Sequence, residues 1–532
     1  MIQNRYFVLL IFILLTNFNF AQVKFNFKFD TFTLKEWPGV HSFSYGEWKD
    51  TLWIFGGRAD GLHGKEEGFN YKNSNRNIYS LRIGQLSARQ WDFKVMDPRI
   101  LKILNSANSQ YVQEGNKLYI MGGYGETYLG IYETLPYMMV IDLEALSMTL
   151  RIGSFIDSCI TIWEDPIFTV TGGKLVKADS LFYLIGGHRV KGKYTSNSGL
   201  IDQQYTDRTL IFTLNEHSGR VIQIQEFNDV FNFHRRDYNI HVQKEKGIQS
   251  DIILFSGVFQ ENIQSPFYNL SRINQNGVVE IAGFEQRLAN YHCPHVLLAN
   301  GNLQPNAEHH IFFGGMSEYF INSNAEVERD AQVPFVDHIS SIKIDEDGNY
   351  SETFFSDRLP GFFGAAAEFV HNKEYFNDSI NGVDLSKLKD YDTAVIGWII
   401  GGLWNPTNEP NPWVKDRAQE VRPNPYILEV KLILSEGVQN HDLKENSSLI
   451  LSPNPVSDRI QITIPENILV YINTLQIWSS SGTLLLSKAI SKESQLELDL
   501  GFLAEGLYSV VILDRQGNKL VQRRISKLTK CR

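Results

Sequence analysis

Cysteine is scarce in this chain: 532 residues hold three, Cys159, Cys293 and Cys531. That is too few for a disulfide framework, so burial must hold the fold together. A Cys159–Cys293 bridge stays open as the alternative, but nothing in their spacing favours pairing, and the two are expected as unbridged buried thiols. A membrane-spanning run is missing as well. The apolar stretch Phe7 to Leu15 is followed by Asn17 and Asn19 and falls well short of the roughly 20 residues that cross a hydrocarbon core. With Arg5 ahead of it and the small Ala21 behind, residues 1–21 read as a signal peptide. No cysteine near that point supports lipid attachment, and no transmembrane segment is expected after its removal. Positive charge is not in excess either. Fifty Lys and Arg stand against 60 Asp and Glu, for a formal charge of -10, and no basic stripe could neutralise a phosphate backbone. Nucleic acid is therefore excluded as a partner. No helix follows the glycine-rich turns to cradle phosphate, and no serine elbow marks a hydrolase.

What the sequence has is apolar and aromatic side chains, 43% and 12%, enough for a large core. It also has a repeat. A β-rich run ends in paired glycines at TLWIFGG (Gly56, Gly57), KLYIMGG (Gly122, Gly123), LFYLIGG (Gly186, Gly187), HIFFGG (Gly314, Gly315) and GWIIGG (Gly401, Gly402), and a weakened copy, IILFSG, ends at Ser256 and Gly257. Hairpins with Asn-Gly or Asp-Gly turns follow, at residues 268–284 and 338–355, and a similar one spans 210–227. Six four-stranded antiparallel units are expected. The sixth lacks a fourth strand, and the alternating segment at residues 24–34 should supply it, leaving no open edge.

Strand, glycine pair and hairpin at this kind of period resemble the kelch repeat over residues 24–436. The resemblance implies an all-β fold, a six-bladed kelch-like β-propeller over residues 22–436 closed by the 24–34 strand. The chain departs from the pattern in its long repeats, in Ser256, and in later-strand aromatics that only the first unit keeps, Tyr79 and Trp91.

After a polar linker at 437–447, short strands over 448–528 suggest a small immunoglobulin-like β-sandwich. Pro453-Asn454-Pro455 before a strand, Gly506-Leu507-Tyr508, then Gly517-Asn518-Lys519 and a basic end resemble the type A C-terminal sorting domain of type IX secretion, found in Bacteroidota. That resemblance implies the type IX secretion machinery as a partner, passage across the outer membrane, removal of the domain, and release or attachment to lipopolysaccharide. It places the protein outside the cell or on the outer-membrane surface.

Within antiparallel units all post-glycine loops share one face, and most are longer than a hairpin needs. The ligand mouth is expected there, around Arg58, Tyr124, Glu126, His188, Arg189, Val258, Phe259, Met316, Leu403 and Trp404, joined by Arg235, Arg236 and His292. Guanidinium forks, an imidazole and aromatic rings suit carboxylates and sugar faces. His292 and His295 are read as facing opposite ways on one strand, so no metal is expected, nor any other cofactor. Asp345 to Asn349 reads as a hairpin turn and not a calcium loop. The function expected is extracellular recognition of a glycan or protein. The alternative is a carbohydrate-active enzyme, since some kelch-like propellers are sialic acid mutarotases or epimerases and others sugar oxidases. A mutarotase needs an acid and a base, for which Glu126 or Glu66 with Arg58 or His188 are candidates. An oxidase would need a copper site that Tyr291-His292-Cys293 cannot build alone.

Overall fold

The computed structural model describes residues 25–528 apart from 63–70, 195–200, 245–249, 262–264, 302–306, 323–325, 389–392, 415–417, 419, 435–440, 443–448, 465–468, 470–471, 480–481, 492, 516 and 518. The expected signal peptide, Glu66, Asn518 and most of the linker lie outside the described residues. Within the linker only His441–Asp442 is described, pairing with Thr353 and Phe354.

Strands dominate, in many small antiparallel sheets. The first sheet runs Ser44–Trp48, Thr51–Phe55, Ile78–Arg82 and Ser87–Trp91, each strand bonded to the next. The second (Gln110–Glu114 to Ile160–Glu164), third (Lys174–Ala178 to Arg220–Asn228) and fourth (Asn239–Gln243 to Gly277–Glu280) repeat that order. The fifth (His295–Ala299 to Tyr350–Arg358) gains extra strands at both edges, among them Gly382–Asp384, which lies parallel to its first strand. In the sixth sheet Ala367–His371, Thr393–Gly401 and Tyr426–Leu434 are joined by a strand from far earlier in the chain. Phe25–Thr33 pairs residue for residue with Tyr426–Leu434.

The glycine pairs explain how the sheets meet. The second glycine donates its amide to the next sheet: Gly57 to Ser106 at 2.8 Å, Gly123 to Val170 at 3.0 Å, Gly187 to Arg235 at 2.9 Å, Gly315 to Phe363 at 2.8 Å, and Gly402 to Val40 of the first sheet at 2.9 Å. The first glycine sits against the same neighbour. A Cβ on Gly122, whose φ is +63°, would lie 2.0 Å from the Val170 carbonyl oxygen, so only glycine fits. Ser256 takes the equivalent left-handed conformation, φ +56°, with a Cβ.

Apolar clusters fill each junction between consecutive sheets. Trp53 and Phe55 pack with Leu118 and Ile120, Tyr119 and Met121 with Phe182 and Phe212, Tyr183 and Ile185 with Ile252 and Leu254. Phe255 meets Phe312 and Ile342 between sheets four and five. Phe313 and Ile339 pack against Phe369 and Ile399, with Phe25 and Phe27 in the same cluster. Sheet six then packs on sheet one through Ile400, Ile427, Leu52 and Ile54.

The C-terminal module has a separate core of Val456, Ile460, Leu475, Val510, Ile525 and neighbours, between a three-stranded sheet and a four-stranded one. Its two sequence blocks meet in space. Asn454 donates to the Arg524 carbonyl (2.9 Å) and accepts from the Ser526 amide (2.9 Å), clamping the last strand, Lys519–Lys527.

Candidate functional site

Each sheet is preceded by one residue in the left-handed region: Ser42, Asn108, Gly172, Asp237, His292 and Ala366, with φ between 39° and 68°. Backbone hydrogen bonds link them at four of the six steps from sheet to sheet. Asn108 donates to Ser42 O at 3.0 Å, Gly172 to Asn108 O at 3.0 Å, Asp237 to Gly172 O at 3.1 Å and Ala366 to His292 O at 2.8 Å. Immediately beside this belt lies a cavity of about 350 Å³ lined by the first strand of all six sheets. Tyr45, Tyr111, Lys174, His241, His295 and His371 contribute one side chain from each, and Glu368 adds a carboxylate from the sixth.

Two groups of titratable side chains share this cavity. In the first, His292 Nε2 stands 3.5 Å from Glu368 Oε1. Burial alone would raise the Glu368 carboxyl, yet His292, the Lys174 charge and the Tyr111 hydroxyl together hold it below the usual range, so it is ionised. Burial, reinforced by Glu368, pushes the Tyr45 and Tyr111 phenols up, and they remain neutral donors. No ion pair or side-chain hydrogen bond engages the Lys174 ammonium among the described residues. The second group is imidazole-rich. His295 Nε2 lies 3.1 Å from His310 Nδ1, and the His241 ring centre is 5.0 Å from that of His310. Burial holds His241 down at about 3, His371 at about 4, and His295 well below the ordinary histidine value. Among the described residues no three His, Cys, Asp or Glu side chains are arranged to hold a metal ion.

The residues expected at the mouth are placed consistently but deeper. Arg58, Tyr124, His188, Val258, Met316 and Leu403 occupy one equivalent position, pairing through the backbone with the residue ahead of each first strand, and all six are buried. Arg58 forms a bidentate pair with Asp60, which also lies 3.7 Å from His41. Tyr124 donates to Gly192 O (2.7 Å) and accepts from the Tyr194 amide (2.8 Å). Glu126 accepts from Tyr132 (3.2 Å) and from the Gly130 amide within its own hairpin, and exposed Arg189 donates to Gln204 (2.8 Å).

Two expected residues do come together. Arg236 reaches His188 Nδ1 at 3.2 Å and the Tyr194 hydroxyl at 3.3 Å, and its guanidinium stacks 4.6 Å from the Phe259 ring. Burial first, then the Arg236 charge, pushes His188 far below its ordinary value. Arg235 diverges from its neighbour: fully buried, it donates to Ser256 O (2.9 Å) and Asn269 (3.1 Å). Trp404 stacks on Phe363, ring centres 6.1 Å apart.

Strand alternation misjudged His292 and His295, since both line the cavity. His292 precedes the strand in a left-handed conformation, so the period of two does not apply to it. Glu368, Lys174, Tyr45, Tyr111, His241, His310 and His371 were missed, because they lie on strands and not on the post-glycine loops. A signal was present. Ser42, Asn108 and Gly172 each stand 14 residues before the first glycine at 56, 122 and 186. Cys159 and Cys293 are both buried free thiols.

Residues 451–527 match the family of the secretion system C-terminal sorting domain. The match marks the protein for export by type IX secretion. Its destination is the cell surface or the extracellular space, and no helix among the described residues is long and apolar enough to cross a membrane. No curated protein matches the chain. A solved structure titled "Structure of YjhT" is similar with a TM-score of 0.41 and 11% identity, over 77% of this chain and 99% of that one. A likeness of that size speaks to neither fold nor function.

Proposed function

We propose that the region ahead of the sorting domain is a closed six-bladed kelch-like β-propeller that works outside the cell as a recognition module for a glycan or a glycan-bearing protein, held at the axial cavity. Closure is supported by the Gly402 to Val40 hydrogen bond and the shared core of sheets six and one. The observation that carries the binding reading is the cavity itself, into which all six first strands bring polar groups and where the Lys174 charge acts on Glu368 from beyond ion-pair contact. Hydroxyl-rich ligands suit neutral phenols, a carboxylate and an ammonium set around one space.

A glycan array probed with the full chain should give hits that Lys174→Ala abolishes, while Arg189→Ala, on the exposed loop, leaves them intact. Hits indifferent to Lys174 would remove the cavity from the reading.

The His292–Glu368 pair favours a second reading, a mutarotase-like carbohydrate enzyme. A base could take the proton of the anomeric hydroxyl while an acid protonates the ring oxygen, so that the bond from the anomeric carbon to the ring oxygen breaks as the carbonyl forms, and reclosure on the other face returns both protons without a cofactor. In that case the protein accelerates anomer interconversion of a sugar and His292→Ala removes the acceleration; an unchanged rate across a sugar panel leaves recognition alone. Export has its own test. Deleting residues 446–532 should retain the protein inside the outer membrane.

A further inference from the structure

The last strand of the sorting domain does not face solvent. Arg524 is enclosed by the propeller region, with Nε 2.9 Å from Glu280 Oε2, Nη2 3.3 Å from Asp229 Oδ1, and its guanidinium 5.2 Å from the Phe231 ring. Arg523, only 7% exposed, reaches the Phe284 carbonyl at 3.5 Å and stands 3.9 Å from Glu285. Asp229 is preset for this contact, since it caps the short helix Val230–Phe233 by accepting from the Phe231 and Asn232 amides. The charges also balance. Asp229 and Glu280 lie close enough to the fully buried Arg235 to act on its charge, and Arg524 makes the set two against two.

The contact is not built like a core. The sorting domain's apolar cluster contains no residue of the preceding sheets. Between the two parts remain cavities of about 130 Å³, beside Tyr268 and Tyr319, and about 240 Å³, beside Phe267 and Trp478, and Arg523 Nη2 is buried without a partner. A polar, imperfectly packed contact between two separately cored bodies suits reversible docking. It also covers part of the domain that the export machinery has to recognise.

We propose that Arg523 and Arg524 latch the sorting domain onto the fourth sheet and the segments that precede and follow it, and that the export machinery gains this strand only when the latch opens. The proposal rests on the sorting-domain match and is independent of what the cavity binds.

The test uses the full chain with Glu280→Arg, Glu285→Arg, and the charge swap Glu285→Arg with Arg523→Glu, since Glu285 is the carboxylate beside Arg523 whereas Arg524 faces both Glu280 and Asp229. Reversing one side of an enclosed charge pair should shift the docked-to-undocked ratio by about tenfold or more. Small-angle scattering of both single variants should show a larger maximum dimension, and the swap should return it to the wild-type value. In cells the single variants should appear outside the outer membrane faster than wild type. Because the two carboxylates lie at different points of the contact, a folding defect in one leaves the other informative. Compact scattering from both single variants, or a swap that stays extended, overturns the latch; extended variants exported no faster than wild type overturn the masking.

Discussion

Ser256 shows how one atom tests the reason for the glycine pairs. Five sheets place glycine at this left-handed position, and the fourth places a serine at φ +56° whose buried hydroxyl has no hydrogen-bond partner. An L-residue there carries roughly 1–2 kcal/mol of strain, so Ser256→Gly should raise stability by about 1 kcal/mol, less the backbone entropy glycine loses on folding. Chemical denaturation checks the sign. The converse change, Gly122→Ala, should cost several kcal/mol, since its Cβ would lie 2.0 Å from the Val170 oxygen and the backbone of the third sheet would have to move.

Among the elements, the strand Phe25–Thr33 matters most. It covers the edge of Tyr426–Leu434 along nine paired residues and buries Phe25 and Phe27 against Phe355 and Phe313. Phe27→Ala should destabilise by about 3–5 kcal/mol, as expected for a fully buried aromatic. Removing residues 25–33 should expose an apolar edge and give aggregated protein on size-exclusion chromatography. A soluble monomer with unchanged melting would show that the last sheet holds without this strand. This pairing was legible in the sequence because residues 24–34 alternate apolar and polar and the sixth unit was one strand short. The strands added by the long loops were not. Tyr124–Tyr128, Ile131–Thr134, His188–Lys191 and Asp202–Tyr205 form a small sheet between the second and third post-glycine loops, and only their spatial proximity defines it.

At the scale of the whole molecule, enclosure sets the pH response. Burial pushes His241 and His338 down to about 3, and His309 and His371 to about 4. In the unfolded chain each would bind a proton near pH 6.5, so stability is full above that value and falls as pH drops toward 4. Glu352 opposes this. Burial pushes it up to about 8, so the folded state holds its proton and gains relative to the unfolded chain as pH falls from 8 toward 4.5. His188 and His295, also held far below their ordinary value, act in the same direction as these four, so the buried imidazoles outweigh Glu352 and the net effect is a loss. The urea midpoint should be lower at pH 5 than at pH 7.5, and Glu352→Gln should steepen the decline. A midpoint that does not fall would mean that the imidazoles are not held neutral.

By itself the sequence determined the local features: the paired glycines, the hairpins, the unpaired N-terminal strand and the motifs of the sorting domain. Each depends on residues near one another in the chain or on a repeated backbone requirement, and such requirements leave periodic traces. Only the tertiary structure decided which side chains share the cavity. Glu368 and His292 come from different sheets, as do Arg236 and His188, and Arg524 meets Asp229 from another domain. Those neighbours are set by the rotation from one sheet to the next and by how the two bodies dock, and that geometry has no fixed spacing in the chain.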